Sequence, residues 1–341
     1  MNSVDMTMAS VACIGECMVE LRQAQGGQSA GQSSGHGQGG GLYSRGFGGD
    51  TLNTAVYLAR LEVKVDYLTA LGDDALSDEM IAAWNAEGVG TRRVSRLPGK
   101  LPGLYMVQTD AKGERQFFHW RDSAAARQLM SLPETDELLN SLMSYDIVYL
   151  SAITLSIYDA PGRERLFAAI KRARLLGTRF VFDTNFRARG WPDRDVAREV
   201  FATAFATADI MLTSTEDLLA LYPDESQEQL MARIPTPELV FRLAEPVSLL
   251  RFPGATHEVR AEPMTKPVVD TTAAGDSFAA AYIAARLGGL RSGRGGPGRT
   301  SPRQPRDLLC RRHYSGLCHA AEEAAPAGDH ASSDQVKRKP R

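Results

Sequence analysis

The stretch VVDTTAAGDSFAAA at residues 268–281 decides the fold, because small residues join a pair of valines to an alanine-rich helix. Small residues directly before a helix leave its first backbone N–H groups accessible at the positive end of the helix dipole, which favours an anion there. Asp276 lies at the predicted start of this helix. The residues alone leave two interpretations open: a helix cap, or a carboxylate that works beside a bound anion.

The chain before this stretch alternates between strands and helices. The runs YDIVYL, TRFVFD and ADIMLT, at residues 145–150, 178–183 and 208–213, are continuous apolar strands. Such runs are typical of a parallel sheet that is covered on both faces. Residues 10–22 predict one further strand. The pattern predicts an α/β fold with a mostly parallel central sheet flanked by helices.

Composition limits the class of protein. The 341 residues are 43% hydrophobic and carry a formal net charge of -2, which suits a large domain without overall attraction to nucleic acid or membranes. The sequence contains no apolar run of about 18 residues, as a membrane span requires. The first ten residues also lack the apolar core of a signal peptide. We therefore expect a cytoplasmic protein with no nucleic-acid or membrane partner.

Two segments differ from the rest in composition. Residues 25–41 consist almost entirely of Gly, Gln, Ser and Ala and predict a flexible loop. Residues 291–341 contain nine arginines and two lysines against five acidic residues, with few large apolar side chains. We predict that this segment is an atypical, disordered tail, and nucleic-acid binding through its arginines is the alternative.

A second motif, GFGGDTLN at residues 46–53, also precedes a predicted helix. Adjacent glycines let a ligand approach the backbone closely. A tight strand-to-helix turn would use the same residues, so the motif alone does not separate a binding site from a turn.

Two arginines lie at the ends of predicted strands. Arg121 ends a β-hairpin predicted at 104–109 and 115–120, and Arg187 follows a buried strand in FDTNFR at 182–187. Two guanidinium groups aimed at one pocket suit a carboxylate, because each pairs with it bidentately, whereas a neutral sugar would not need them. Solvated surface arginines are the alternative.

Together these motifs resemble the ribokinase-like (PfkB-type) carbohydrate kinase family. DTTAAGDSF is similar to the family's closing Gly-Asp signature and GFGGDTLN to its N-terminal signature, while the hairpin and FDTNFR resemble the 2-keto-3-deoxygluconate kinases of that family. The resemblance implies a ribokinase-like kinase domain over residues 1–290, with a small β-sheet lid from parts of 16–47 and 101–121. It also implies ATP-dependent phosphorylation of 2-dehydro-3-deoxy-D-gluconate to its 6-phosphate, with Mg²⁺ accompanying ATP.

The resemblance also implies roles for individual residues. Asp276 would be the catalytic base, and the anion hole for the transferring phosphate would be Ala273, Ala274 and Gly275. The sugar acid would be bound by Gly48, Gly49, Asp50, Thr51, Leu52, Asn53, Tyr105, His119, Trp120, Arg121, Arg187 and Asp276. The nucleotide would be bound by Asn185, Phe186, Arg187, Ala273, Ala274, Gly275 and Asp276.

The implied metal residue is Glu216, which matches only the last position of the family's Asn-x-x-Glu motif. It would organise Mg²⁺ indirectly, through water. A first-turn acid that stabilises its own helix is the alternative. The implied partners are the sugar acid and ATP, with a homodimer formed through the β lid.

The chain departs from the family pattern in three places. The loop at 25–41 is longer, Ala244 and Val247 stand where a nucleotide-side turn carries glycines, and residues 291–341 lack the apolar period of a packed helix. A reading-frame change near Leu290 is one hypothesis for the tail. Two alternative functions stay open: a kinase of another sugar such as fructose, and a sugar-acid-binding remnant with an impaired ATP site.

Overall fold

The computed structural model describes residues 9–23, 42–109, 115–243, 247–261 and 273–292. The strands of these residues are β1 (Ser10–Ile14), β2 (Met18–Gln23), β3 (Tyr43–Gly48), β4 (Lys64–Gly72), β5 (Val94–Leu97), β6 (Gly103–Thr109), β7 (Arg115–Trp120), β8 (Ile147–Ser151), β9 (Arg179–Asp183), β10 (Ile210–Ser214), β11 (Glu238–Arg242), β12 (Val247–Phe252) and β13 (Ala255–Arg260). The α-helices are α1 (Asp50–Arg60), α2 (Ala75–Ala86), α3 (Thr135–Asn140), α4 (Ala152–Ile157), α5 (Ala160–Leu175), α6 (Arg194–Thr207), α7 (Thr215–Leu221), α8 (Gln227–Arg233) and α9 (Ala274–Ser292). Short 3₁₀ helices span Ala125–Ser131, Ser141–Ser144 and Ala188–Gly190.

The larger sheet has the strand order β13-β12-β11-β10-β9-β8-β1-β4-β5. Within this sheet, the neighbouring strands β11, β10, β9, β8, β1, β4 and β5 pair in parallel. Strands β12 and β13 add an antiparallel edge. The sequence-based fold class, an α/β fold with a mostly parallel sheet between helices, is confirmed. The strand order reverses direction between β1 and β8, so their carboxyl ends flank the crevice where open α/β sheets bind ligands.

Apolar residues cover both faces of this sheet, as the unbroken strand runs predict. In β8, Val148 and Leu150 join the core on the side of α5 and α6, whereas Ile147 and Tyr149 join the core on the side of α1 and α9. Successive residues of a strand point to opposite faces, so a strand that is covered on both faces buries both sets of its side chains. In the part of the chain that the structure covers, no helix is long and apolar enough to cross a membrane.

The smaller sheet has the strand order β3-β2-β6-β7 and forms the predicted small β-sheet, called the lid below. The prediction of one strand over residues 10–22 is wrong, because β1 and β2 belong to different sheets and are separated by residues 15–17. The chain can turn from one sheet to the other at Gly15 because this residue has no side chain. A Cβ at this position would overlap the hydroxyl of Thr51 at the start of α1. The break brings Glu16 close to the crevice.

Several predicted features lie outside the described residues. These are the loop at 25–41, positions 244–246 of the altered turn, and residues 293–341 of the tail. Val247, the last position of that turn, begins β12. Helix α9 continues to Ser292, two residues past the predicted domain boundary at 290.

Candidate active site

Asp276 lies in the first turn of α9, opposite the first turn of α1. The side-chain amide of Asn53 donates a hydrogen bond of 2.8 Å to Asp276 Oδ2. The hydroxyl oxygen of Thr54, the next residue, lies 3.3 Å from the backbone carbonyl oxygen of Asp276. The two glycine-containing motifs of the sequence therefore meet here, and α1 fixes the orientation of the Asp276 carboxylate.

Three carboxylates gather at this point. Asp183 ends β9 and is buried, and burial raises its pKa to about 7. Burial also raises the pKa of Asp276 well above its usual range, and the nearby Asp50 carboxylate raises it further. The hydrogen bond from Asn53 opposes this rise, because it stabilises the ionised form. A carboxylate with a raised pKa is a better proton acceptor than an ordinary aspartate.

The backbone before Asp276 is strained. Ala273 has φ of 60°, in the left-handed region, and its carbonyl oxygen accepts the 2.9 Å hydrogen bond from the backbone N–H of Ser277. A residue other than glycine in this region costs about 1 kcal/mol or more, and such strain tends to be found at functional sites. The accessible N–H groups of α9 therefore begin at a sharply turned, strained residue.

The loop after β9 is anchored by Asp217 of α7. Its carboxylate accepts hydrogen bonds from the Thr184 hydroxyl (2.9 Å) and from the backbone N–H of Phe186 (3.1 Å). Arg187 Nη1 lies 3.5 Å from Asp217 Oδ1, and its side chain is 62% exposed. Asn185 donates a 2.8 Å hydrogen bond to Asp50 Oδ2. The structure thus brings Asn185 and Arg187 beside Asp276, whose pKa the Arg187 charge lowers.

Glu216 is exposed in the first turn of α7, and its neighbour Asp217 makes the contacts to the loop. Among the residues that the structure describes, no group of three or more His, Cys, Asp or Glu side chains could hold a metal ion. An indirect role of Glu216 toward Mg²⁺ therefore stays a prediction.

The lid carries the other predicted sugar-acid residues. The Tyr105 hydroxyl donates a hydrogen bond to Glu20 and lies against Gly48, where a side chain would overlap it. The His119 ring stacks on the Tyr105 ring at 5.9 Å, and burial, followed by the Arg121 charge, lowers the His119 pKa. A neutral imidazole at this place can both donate and accept hydrogen bonds, which suits hydroxyl groups.

Arg121 is paired with a residue that the sequence analysis did not select. Its guanidinium contacts the carboxylate of Glu16, whose side chain is 2% exposed. Burial raises the pKa of Glu16, and the Arg121 charge opposes that rise. Glu16 lies two residues after the end of β1, so a polar residue near the carboxyl end of a buried strand was the available signal. Asp183, at the end of β9, carries the same signal.

Three other predicted residues do not join this arrangement through their side chains. Trp120 pairs with Leu104 in the lid and lies on the opposite face from His119 and Tyr105, with 58% of its surface exposed. Leu52 packs into the core beneath α1, and the Thr51 hydroxyl lies 3.1 Å from the Tyr67 hydroxyl. Their predicted contacts with the sugar acid stay predictions.

Gly49 allows the closest backbone approach in the site. A side chain at this position would overlap the backbone carbonyl oxygen of Glu16. We expect Gly49→Ala to lower the free energy of unfolding by about 1–3 kcal/mol, since neither backbone can yield easily, and to raise KM for the sugar acid. Urea denaturation and steady-state kinetics measure both effects.

Gly46→Ala is the matched control, because a Cβ there would come no closer than 4.0 Å to Glu20 Oε1. Equal stability of the two variants would contradict the close approach at Gly49.

Known proteins resemble this chain in both sequence and fold. The sequence matches the family described as pfkB family carbohydrate kinase over residues 8–294. It is 40% identical over 294 residues to the 2-dehydro-3-deoxygluconokinase of Dickeya dadantii (strain 3937), covering 83% of this chain and 90% of the relative. It is 36% identical over 288 residues to the 2-dehydro-3-deoxygluconokinase of Escherichia coli (strain K12), covering 82% and 88%. In fold it is similar to the crystal structure of fructokinase with bound ATP from Xylella fastidiosa, with a TM-score of 0.68, 24% identity, and coverage of 82% of this chain and 81% of that chain.

Proposed function

The chain belongs to the pfkB family of carbohydrate kinases, and from this premise we propose that it transfers the terminal phosphoryl group of ATP to the C6 hydroxyl of 2-dehydro-3-deoxy-D-gluconate. The observation that carries the proposal is the Asp276 carboxylate, held by Asn53 at the start of α9 within the crevice. The two relatives are 40% and 36% identical to this chain, and their names support the choice of sugar acid.

The residues at the start of α9 fit a phosphate group. Ala273, Ala274 and Gly275 are small, and the helix presents its positive end at them. Mg²⁺ is usually held by phosphate oxygens, water and one or two carboxylates, so it does not need a cluster of protein ligands. When bound, ATP with Mg²⁺ supplies the phosphoryl group and neutralises part of its charge.

In the proposed reaction, Asp276 accepts the proton of the C6 hydroxyl as the oxygen forms its bond to the terminal phosphorus of ATP, and the bond from that phosphorus to the departing ADP breaks. The backbone N–H groups at Ala274 and Gly275 stabilise the charge on the transferring group. Phosphoryl transfer has a loose transition state, so positioning by Asn53 contributes to the rate alongside the basicity of Asp276.

The proposed carboxylate-binding residues are Arg121 and Arg187. Both already have an acidic neighbour, Glu16 and Asp217 respectively. A guanidinium group has five donors, so one carboxylate does not exhaust it. The acidic neighbours hold each arginine in place and leave donors for the substrate. Tyr105 and His119 would contact its hydroxyl groups.

Two further parts of the proposal concern the whole molecule. On the face opposite His119, the lid exposes the aromatic side chains of Tyr43 and Trp120 by 41% and 58%, which supports pairing of two copies through the lid. Sedimentation velocity of the intact chain tests this dimer. We place the reaction in the cytoplasm, where ATP is the common phosphoryl donor.

The test of function is ADP release by the purified chain with Mg-ATP and one sugar at a time: 2-dehydro-3-deoxygluconate, fructose or ribose. Turnover with the sugar acid at least tenfold above the neutral sugars is the expected result. Higher turnover with fructose than with the sugar acid would show that the chain is a kinase of a neutral sugar. A folded chain that binds the sugar acid without turnover would be the impaired remnant.

A further inference from the structure

The Thr54 hydroxyl lies where α1 meets α9 and the central sheet, and this residue is fully buried. Its oxygen is 3.1 Å from the carbonyl oxygen of Asp50, 3.3 Å from the Tyr149 hydroxyl and 3.3 Å from the carbonyl oxygen of Asp276. A hydroxyl group has a single hydrogen, so Thr54 cannot donate fully to all three oxygens at once. The direction of this hydrogen therefore decides whether Thr54 joins α1 to the backbone of Asp276.

Tyr149 connects Thr54 to a buried acid. It lies in β8 without exposed surface, and its hydroxyl is 3.4 Å from Asp183 Oδ2 at the end of β9. A second contact of this carboxyl is similarly long, since the backbone N–H of Asn185 donates to Asp183 Oδ1 at 3.3 Å. Hydrogen bonds of this length stabilise a buried negative charge only weakly. The surroundings of Asp183 therefore favour its neutral, protonated form.

The charges around Asp183 have been placed on four different elements. Burial raises the pKa of Asp183 to about 7, the Arg242 charge of β11 opposes that rise, and the charges of Asp217 and Asp50 add to it. The charge of an ionised Asp183 in turn raises the pKa of Asp276 in α9. Neighbouring buried carboxylates do not ionise together easily, so an ionised Asp276 is favoured when Asp183 keeps its proton.

The two forms of Asp183 require opposite orders of donors. An ionised Asp183 accepts the hydrogen of Tyr149, whose oxygen then accepts the hydrogen of Thr54. A protonated Asp183 can donate to Tyr149 instead, and Tyr149 then donates to Thr54. The Thr54 hydrogen is thereby directed to the carbonyl oxygens of Asp276 and Asp50, and a hydrogen bond shared between these oxygens joins the two helices.

We propose that a hydrogen-bonded chain from Asp183 through Tyr149 to Thr54 positions the first turn of α9, the turn that carries the catalytic base. When Asp183 holds a proton, the chain directs the Thr54 hydroxyl to α9, and when Asp183 is ionised, the chain directs this hydroxyl away from α9. This inference rests on the proposed function, because Asp276 is the base of that reaction. The three residues of the chain are positioning residues that act through the backbone, whereas Asn53 holds the carboxylate itself.

Packing alone is the competing explanation. Tyr149 belongs to the core on the side of α1 and α9, and a phenylalanine would fill nearly the same space. Tyr149→Phe and Thr54→Val each remove one hydroxyl and keep the shape of the side chain. Tyr67→Phe is the matched control, because Tyr67 is also fully buried and its hydroxyl lies 3.1 Å from the hydroxyl of Thr51 in the same helix α1.

We expect Tyr149→Phe and Thr54→Val each to lower kcat about fivefold, which is the effect of losing one hydrogen bond, and to leave KM for the sugar acid within about twofold. The double variant should be no more than about twofold slower than the slower single variant, because both substitutions interrupt the same chain. Thr54→Ser keeps the hydroxyl and should recover most of the rate. Tyr67→Phe should match the unchanged chain.

Hydrogen exchange followed by mass spectrometry tests the chain of hydrogen bonds without any substrate. The amides in the first turn of α9, such as that of Ser277, should exchange at least threefold faster in Tyr149→Phe and in Thr54→Val than in the unchanged chain. The amides of α5, on the opposite face of the sheet, should not change. Asp183→Asn carries a neutral side chain, as the protonated acid does, and should not speed the exchange of α9.

The inference and the proposed function fail separately. If the unchanged chain phosphorylates none of the tested sugars but the exchange of α9 changes as stated, the function is wrong and the positioning chain stands. The positioning chain is overturned if Tyr149→Phe keeps both kcat and exchange within twofold of the unchanged chain. It is also overturned if the losses of kcat multiply in the double variant, because the two hydroxyls then act independently.

Two further results would overturn it. An equal loss of kcat in Tyr67→Phe would show that removing any buried hydroxyl beside α1 has this effect. Faster exchange of α9 in Asp183→Asn, to the extent seen in Tyr149→Phe, would show that the ionised acid is the form that holds the helix. Circular dichroism confirms that each variant is folded, and Tyr149→Phe alone decides the question if Thr54→Val does not fold.

Discussion

Replacing Asp276 with asparagine is expected to lower kcat about a thousandfold, with KM for both substrates changed by less than about fivefold. Asparagine has the same shape and can still meet Asn53, but it cannot accept the proton of the C6 hydroxyl. The remaining rate comes from the positioning and charge stabilisation that the rest of the site supplies. Steady-state kinetics with saturating Mg-ATP measure the change.

Asp74→Asn is the matched control for this substitution. Asp74 also lies at the start of a helix, where it caps α2 by accepting hydrogen bonds from the backbone N–H groups of Leu76 and Ser77. Asparagine caps helices about as well as aspartate, so this variant should keep full activity. If both variants lost activity equally, the role of Asp276 would be that of a cap.

The pH profile of the unchanged chain adds a second check on Asp276. Its pKa is raised by burial and by Asp50, so the base loses its ionised form at a higher pH than an ordinary aspartate does. As the pH falls, kcat/KM for the sugar acid should therefore begin to fall well above the usual aspartate pKa of about 4. A rate that stays flat down to that value would argue against Asp276 as the base.

The second large effect is expected at Arg121. Arg121→Met should raise KM for 2-dehydro-3-deoxygluconate about 100-fold, because one charge-assisted pair with the substrate carboxylate is lost. The low activity toward a neutral sugar such as fructose should change little. The ratio of the two kcat/KM values, which measures selectivity for the sugar acid, would fall by nearly the same factor.

The buried Glu16 complicates this substitution. Without Arg121, its carboxylate is left unpaired in a place where 2% of the side chain is exposed, and the chain should lose about 3–5 kcal/mol of stability. The double variant Glu16→Gln with Arg121→Met removes both charges and should recover most of that stability. Its KM for the sugar acid should stay high, which separates substrate binding from folding.

Arg45→Met is the control for Arg121, because Arg45 also lies in the lid and pairs with a glutamate, Glu79 of α2, outside the crevice. Exposed pairs of this kind contribute little, so KM should be unchanged. If KM for the sugar acid were also unchanged in the Arg121 variant, Arg121 would not bind the substrate carboxylate. A neutral sugar would then be favoured as the substrate.

The fold and the centre of the site could be predicted because their signals are local. The unbroken apolar strands specify a parallel sheet, and the Gly-Asp stretch specifies an anion-binding helix start, within a few residues each. The acidic and basic residues that complete the site have no such signal. Glu16 becomes the partner of Arg121 only after β1 and β2 separate into two sheets.

The lid illustrates a different limit. His119 and Trp120 are neighbours in one strand, and the register places His119 opposite Tyr105 and Trp120 opposite Leu104. Because a strand points successive side chains to opposite faces, both cannot face the same pocket. This rule was available from the sequence, but which of the two residues shares a face with Tyr105 depended on the register of β6 and β7.

The late position of α9 in the chain has a consequence for synthesis. Residues Phe278–Leu287 are buried without a break and pack between α1 and the face of the sheet that contains β1. A chain that has been synthesised only as far as residue 272 therefore lacks the helix that covers this face of the sheet. Until α9 has been added, the uncovered apolar face can bind chaperones and promotes aggregation.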